Sequence, residues 1–344
     1  MAGLRLDVLI PTHNREAMLE RCLESVLRAA PTDQLDVHVT VVCNACTDGS
    51  RALVRRYQAS FPGRLSVIEE RRRGKSKALN LGIAATSGDL VAMIDDDEQV
   101  DVEWLRVIER AFADPALDFA GGPYIPVWDG PVPEWIPTDY LAVLGAVDNG
   151  GAVQPYSREF PGILKGGNAV IRRSVLLRAG RYAEHLGPGS FARLFSCEDE
   201  DMYWRLLELG ARGKYFPELV VFHYISADRL TREYYRRWCF WRGVSRGLMD
   251  RRHALPVRYL GGIPRFLWGR AARSCLRLLV PPAQRSARDV FTDELRVWDL
   301  AGFAYGRHIY TLARYSPVKS RRKQDSPAFA ALQGRVRELD RIAG

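Results

Sequence analysis

Two groups of carboxylates offer chemistry in this sequence. Asp95-Asp96-Asp97, followed by Glu98, ends the apolar run Leu90-Val91-Ala92-Met93-Ile94, and Glu198-Asp199-Glu200-Asp201 opens the helical pattern Met202 to Leu209. Adjacent carboxylates repel one another and raise each other's pKa, so a hard divalent cation such as Mg2+ or Mn2+ is an economical companion for the triplet. Taken alone, the triplet reads equally well as a solvated acidic turn. The second cluster complements a helix N-terminus. One or two acids suffice for that, and four point to a further role.

The elements around these clusters follow a strand–loop–helix rhythm. Asp7-Val8-Leu9-Ile10 reads as a strand, Pro11 to Arg15 as a turn, and Glu16 to Ala30 as an amphipathic helix with Leu19, Cys22, Leu23, Val26 and Leu27 on one face. A second strand, Val37 to Val42, ends at Cys43-Asn44-Ala45-Cys46-Thr47-Asp48-Gly49-Ser50 and leads into a helix over Arg51 to Ser60. A third strand near Arg64 to Glu69, a helix near Ser76 to Ala85 and a fourth strand, Leu90 to Ile94, complete the pattern. This is the parallel α/β signature, with right-handed crossovers and ligands expected beyond the strands' carboxyl ends. A helix over Asp101 to Ala113 precedes an irregular segment rich in Pro, Gly and Trp, Gly121 to Gly162, which suits a binding loop. Gly166-Gly167-Asn168 precedes a short helix around Ser174 to Ala179, and Leu219 to His223 reads as a last strand.

In order along the chain, Pro11-Thr12-His13-Asn14-Arg15, Asn44 to Ser50, Asp95-Asp96-Asp97 and Glu198-Asp199 resemble the motifs of family 2 inverting nucleotide-sugar glycosyltransferases with a GT-A fold. The resemblance spans residues 5 to 245. It implies a Rossmann-like mixed sheet flanked by helices. Pro11, Thr12, Asn14, Asn44 and Asp48 would then line the nucleotide pocket, with Lys77 approaching the base or diphosphate. Asp95 would touch the ribose, Asp97 would ligate the metal, and Asp96 would be an adjustable donor-binding residue between them. The family often carries an acid where this chain has Cys43, which leaves the base open. His223 would offer a further metal ligand, although a lone His after a strand is commonly structural. Asp199 would be the catalytic base and Glu198 would hold an acceptor hydroxyl. Gly167 and Asn168 match a turn that lets backbone approach donor or acceptor, and Trp135 would stack on an acceptor sugar or pack in a core.

The 344 residues are 47% hydrophobic and 26% charged, an ordinary globular composition. No apolar run approaches the ~18 residues of a membrane span, and the start lacks the apolar core of a signal peptide. Six dispersed cysteines suit a reduced, cytoplasmic protein, and Cys43-x-x-Cys46 is at most a weak redox motif. The net charge of +9 is concentrated: Arg229 to Arg288 holds fifteen Arg against Glu233 and Asp250 alone. Such a module wants an anionic partner. Arg270, Arg273 and Arg277 share a helix face opposite Trp268, Ala271, Ala272, Cys275 and Leu279, an interfacial pattern that would place the protein on the inner face of a membrane. The same arginines could instead be solvated on a tail folded onto the catalytic part.

The sequence thus implies three segments: a nucleotide-sugar half (1–120), an acceptor and catalytic-base half (121–226), and a basic helical C-terminal region (227–344). The expected activity is metal-dependent, inverting and non-processive transfer from a nucleotide diphosphate sugar to a hydroxyl, on a saccharide or lipid-linked acceptor of an envelope or exported polymer. A sugar nucleotidyltransferase would need a Gly-rich phosphate loop after the first strand, and none is present. A nucleic-acid-binding protein would work through the arginines without the carboxylates. An inactive scaffold is opposed by the intact Asp97 and Asp199.

Overall fold

The computed structural model describes residues 3–189, 194–279 and 285–310, and the expected basic region beyond 310 lies outside the described residues. The chain divides into two compact units. The first comprises residues up to 129, 144–193 and 198–225, and the second residues 130–143, 194–197 and 226 onward.

The first unit is built on eleven strands: β1 (Leu4–Thr12), β2 (Leu35–Asn44), β3 (Leu65–Glu70), β4 (Leu90–Met93), β5 (Glu98–Val100), β6 (Phe119–Gly121), β7 (Tyr124–Trp128), β8 (Gln154–Pro155), β9 (Ala169–Arg172), β10 (Gly213–Tyr215) and β11 (Val221–Ile225). The main sheet runs β3-β2-β1-β4-β9-β6-β10-β8. Its first four strands are parallel, whereas β9 is antiparallel to both β4 and β6. A second sheet, β5-β11-β7, holds the last strand expected from the sequence.

Parallel strands buried on both faces are apolar throughout, and β1 divides its side chains accordingly. Leu6, Val8 and Ile10 enter one core with α1 (Glu16–Arg28), α2 (Ser50–Ser60) and α4 (Trp104–Phe112). Leu9 enters the other with α3 (Lys75–Ala85), α5 (Arg173–Ala179) and α6 (Glu198–Glu208). Because β1 is flanked by β2 on one side and β4 on the other, the chain reverses its winding at β1/β4. The crevice beyond that point is where open α/β sheets bind ligands. The loops that emerge there are Thr12–Arg15 and Ile94–Asp97.

Asn168, expected at an acceptor site, instead braces the two sheets. Its Nδ2 donates to the Leu219 carbonyl at 2.6 Å and its Oδ1 accepts the Trp104 indole N–H at 3.0 Å, with Asn168 and Trp104 both buried. Both ends of the carboxamide are thereby engaged within the fold. The second unit is helical: α7 (Arg232–Met249), α8 (Arg265–Leu278) and α9 (Ala287–Ala304). Replacing Asn168 by Ala strands a buried indole N–H and a carbonyl, so Asn168→Ala is expected to lower unfolding stability by about 2–4 kcal/mol, measured by urea denaturation.

Candidate active site

The sequence places the first acidic cluster on the tight turn between β4 and β5, where the Asp95 N–H donates to Glu98 Oε2 at 3.0 Å. One oxygen each of Asp95, Asp97 and Glu98 lies within 4.8 Å of the others. Glu98 is a member of this group that sequence reasoning passed over; its signal was adjacency to the triplet. His223 faces Asp97, Nε2 to Oδ1 3.7 Å, because β11 pairs His223 opposite Glu98. A Cβ at Gly145, whose φ is +73°, would strike the His223 ring.

Asp96 points toward β1. It accepts from Thr12 Oγ1 at 2.8 Å and from Arg15 Nη1 at 2.7 Å, and the same nitrogen reaches Asp97 at 3.0 Å. On the other flank, Lys75 Nζ lies 2.7 Å from Asp95 and 3.8 Å from Glu198. Arg15 and Lys75 thus neutralise part of the acids' charge. Neither cation had been assigned a role. Lys77, the lysine expected to face the donor, donates to the Arg73 carbonyl at 3.0 Å.

Gly166 and Gly167 bring the clusters together. A Cβ on Gly166 would collide with the Asp199 carboxylate, and one on Gly167 with that of Glu98. Consecutive Cα atoms are about 3.8 Å apart, so the second acidic cluster and the first press on one two-residue turn. Gly167 makes room for a carboxylate, a requirement distinct from the expected approach to a ligand. Gly187, at φ +82°, leaves similar clearance at 3.0 Å from Glu198. Asp199 Oδ1 is buried with no hydrogen-bond partner among the described residues. The remaining acids of this cluster differ: Asp201 is paired with Arg205 one turn on, at 2.7 Å.

The loops behind the site are fixed by side-chain–backbone bonds. Asn44 is buried, donates to the Glu70 and Arg72 carbonyls and accepts from Gly74 N at 2.7 Å. It thereby sets the entry to α3 and the place of Lys75, and its carboxamide faces backbone on both ends. Asp48 accepts from the N–H groups of Glu16 and Ser50, both at 3.1 Å, satisfying donors at two helix starts. Asn14, at φ +52°, accepts from Thr47 N at 2.7 Å, locking the first loop to the second. Pro11 and Thr12 end β1 opposite Val42 and Cys43. Cys43 and Cys46 are free thiols, and a hydrogen bond from Cys43 draws Cys46 down to about 7. Trp135 belongs to the second unit, where its ring meets Tyr235 and Phe291 edge-on at 5.5 and 5.0 Å; packing accounts for its position.

Burial dominates the electrostatics. Desolvation pushes Asp96 up to about 6 and Glu98 well above the usual carboxylate range. Desolvation and the neighbouring Asp199 raise Glu198 to about 8. Burial alone would lower Lys75, but Asp95, Asp199 and Glu198 reverse that and hold it charged. Arg15 is likewise kept charged by Asp96 and Asp97 against its own desolvation.

Known proteins resemble this chain in sequence and in fold. The profile of Glycosyl transferase family 2 covers residues 7–178. The chain belongs to this family. It is a nucleotide-sugar-dependent glycosyltransferase with the GT-A fold. A glucosyl-dolichyl phosphate glucuronosyltransferase of Haloferax volcanii is 25% identical over 72% of this chain and 78% of its own length. A pre-mycofactocin glycosyltransferase of Mycobacterium tuberculosis is 27% identical over 95% of this chain and 70% of its own. Among solved structures, the mannosyltransferase PcManGT of Pyrobaculum calidifontis, in complex with GDP-Man and Mn2+, superposes with a TM-score of 0.58 at 18% identity, covering 89% of this chain and 88% of that one.

The three raised carboxylates set a pH dependence for the ligand-free glycosyltransferase. In the folded state they keep protons that the unfolded chain releases above its ordinary carboxylate pKa, so their contribution to stability is complete below pH ~4 and is lost as pH rises toward 8. Thermal unfolding in EDTA is expected to show a melting temperature falling between pH 5 and about pH 8. Glu198→Gln, which removes one of the three titrating groups, is expected to flatten that slope.

Proposed function

We propose that the protein transfers a sugar with inversion from a nucleotide diphosphate donor to an acceptor hydroxyl, with Asp199 as general base and a divalent ion held by the first acidic cluster. The observation that carries this reading is the Gly166-Gly167 turn, against which Asp199 and Glu98 pack side by side. Inversion needs a base opposite the leaving group, and two carboxylate clusters flanking one small turn supply both ends of such a path.

The donor set suits a divalent ion. Asp95, Asp97 and Glu98 offer hard oxygen atoms within 4.8 Å of each other, the ligand type that Mg2+ and Mn2+ prefer, and His223 adds a nitrogen beside Asp97. When bound, such an ion supplies Lewis-acid stabilisation of the departing diphosphate. The chain's own groups do the rest. Asp199 takes the acceptor's proton, and Glu198 holds the acceptor hydroxyl. Lys75, joined to Asp95 and near Glu198, keeps both clusters in register and adds positive charge where the leaving group departs. Pro11, Thr12, Asn14 and Asp48 shape the nucleoside loop, and Lys77 is within the same α3 turn as Lys75.

The acceptor class follows from the Haloferax relative, whose name specifies a glucosyl-dolichyl phosphate; a lipid-linked saccharide of an envelope or exported polymer is the acceptor we infer here. Among the described residues no helix is long and apolar enough to cross a membrane. The outer face of α8 suits attachment to an anionic inner leaflet. Trp268, Leu276 and Leu279 are 41%, 67% and 81% exposed, and Arg265, Arg270 and Arg273 are exposed beside them. Aromatic and aliphatic groups flanked by arginine match an interfacial helix.

Two measurements test this reading. Thermal shifts with UDP-, GDP- and dTDP-sugars are expected to show one donor that stabilises the protein only with Mg2+ or Mn2+. Asp97→Ala should abolish that shift. Asp199→Asn should keep it while lowering turnover about 10²–10⁴-fold; an Asp199→Asn enzyme with normal turnover would remove the base assignment. In flotation with phosphatidylglycerol vesicles at low salt, the full chain is expected to co-float, and Trp268→Ser with Leu276→Ser to remain in the soluble fraction.

A further inference from the structure

The second unit holds a cavity of about 400 Å³ between α8, α9 and the segment around Pro137 to Asp139. Four guanidinium groups line it: Arg277, Arg285, Arg288 and Arg296. Three of them share one carboxylate. Asp293, only 1% exposed, is met by Arg277, Arg285 and Arg296, the last at 3.2 Å, and by the Ser274 hydroxyl at 2.7 Å. A single carboxylate neutralises one of these charges and leaves two. Arg288 adds another, because its Nε and Nη2 donate to the uncharged carbonyl of Glu134 at 3.1 and 2.9 Å.

Asp289 and Asp139 also line the cavity, so its four arginines meet three carboxylates and one positive charge remains in excess. Asp289 is exposed and accepts from the Ser286 hydroxyl at 2.7 Å, and Asp139 is exposed as well. Arg285 and Arg296 are largely covered, with side chains 14% and 27% exposed, so water screens their mutual repulsion poorly. Convergent arginines held in place by a buried anchor are preorganised forks, and planar forks select tetrahedral oxyanions with two parallel bonds. The volume admits an anion together with part of the group that carries it.

We propose that this cavity is a binding site for a phosphoryl group, gripped by Arg288 and Arg296 above the Asp293 anchor. All of its residues belong to the second unit, so the site stands independently of the transfer chemistry proposed for the carboxylates. The phosphoryl group could reach it as free phosphate or as a phosphomonoester lipid headgroup, and both present the same oxygens.

Isothermal titration of the full chain with inorganic phosphate in EDTA, which removes any metal-assisted route at the carboxylates, is expected to show saturable binding. Arg288→Ala and Arg296→Ala should each weaken it about tenfold, while Asp199→Asn leaves it unchanged. Flotation with phosphatidylcholine vesicles, with and without phosphatidic acid, separates the sources. Capture by phosphatidic acid that phosphate competes away identifies a headgroup; phosphate binding without capture identifies the free ion. Should an alanine variant fail to fold by circular dichroism, Arg288→Lys replaces it, keeping the charge and losing the fork, with weaker binding expected. Absence of saturable phosphate binding, or binding indifferent to these substitutions, overturns the proposal.

Discussion

The candidate active site depends on a partly buried chain of charges in which Lys75 sits between Asp95 and Glu198 while Arg15 spans Asp96 and Asp97. Removing carboxylates from water is expensive, and in low dielectric their repulsion is amplified. Two cations cannot neutralise six nearby acids, and burial with mutual repulsion pushes Glu98 and Glu198 upward. Much of the surrounding architecture follows from placing those two cations. Arg15 leaves β1 at the switch point because β4 is the neighbour of β1 there. Lys75 opens α3 because Asn44 fastens the loop before it.

Glycine has a specific function in this arrangement. Gly166 and Gly167 let Asp199 and Glu98 approach neighbouring Cα atoms, and any side chain at either position would displace a carboxylate. The strand that follows, β9, runs against β4 and so carries the turn back to the end of the strand from which the first cluster emerges. Distance in sequence is thereby converted into contact: residues near 98, 167 and 199 meet because one antiparallel strand is inserted into a parallel sheet.

The first four strands and their helices were legible because parallel strands are continuous apolar runs and the helices between them keep a clear 3.6-residue period. The acidic clusters were legible by type and order. What escaped depends on direction or on partners distant in sequence. Lys75 and Lys77 lie two residues apart on one helix, about 200° around its axis, so only the fold decides which meets Asp95. The short strand β9 is flanked by glycines and arginines and is defined by its neighbours on both sides. Asn44 and Asn168 look like ligand-binding amides until their partners prove to be backbone groups and an indole.

The basic region shows the same dependence on partners. Counted from Arg229 to Arg288, its charged side chains are nearly all arginine, yet the acids that answer them begin one residue later on α9. Arg236 pairs with Glu294 at 2.6 Å, Arg246 with Asp299 at 3.3 Å, and Asp293 gathers three more. Arg232 and Arg236 also lie over the Phe291 ring at 5.3 and 5.6 Å, a contact favoured for a weakly hydrated planar cation. The module is therefore cemented from within by arginine, and its net charge overstates what it offers to a partner. Among the described residues, the exposed arginines along α8 and the arginines of the cavity are placed to meet an external anion. Two separate surplus positions on one helical unit explain why a composition count alone cannot distinguish a membrane surface from a discrete phosphoryl site.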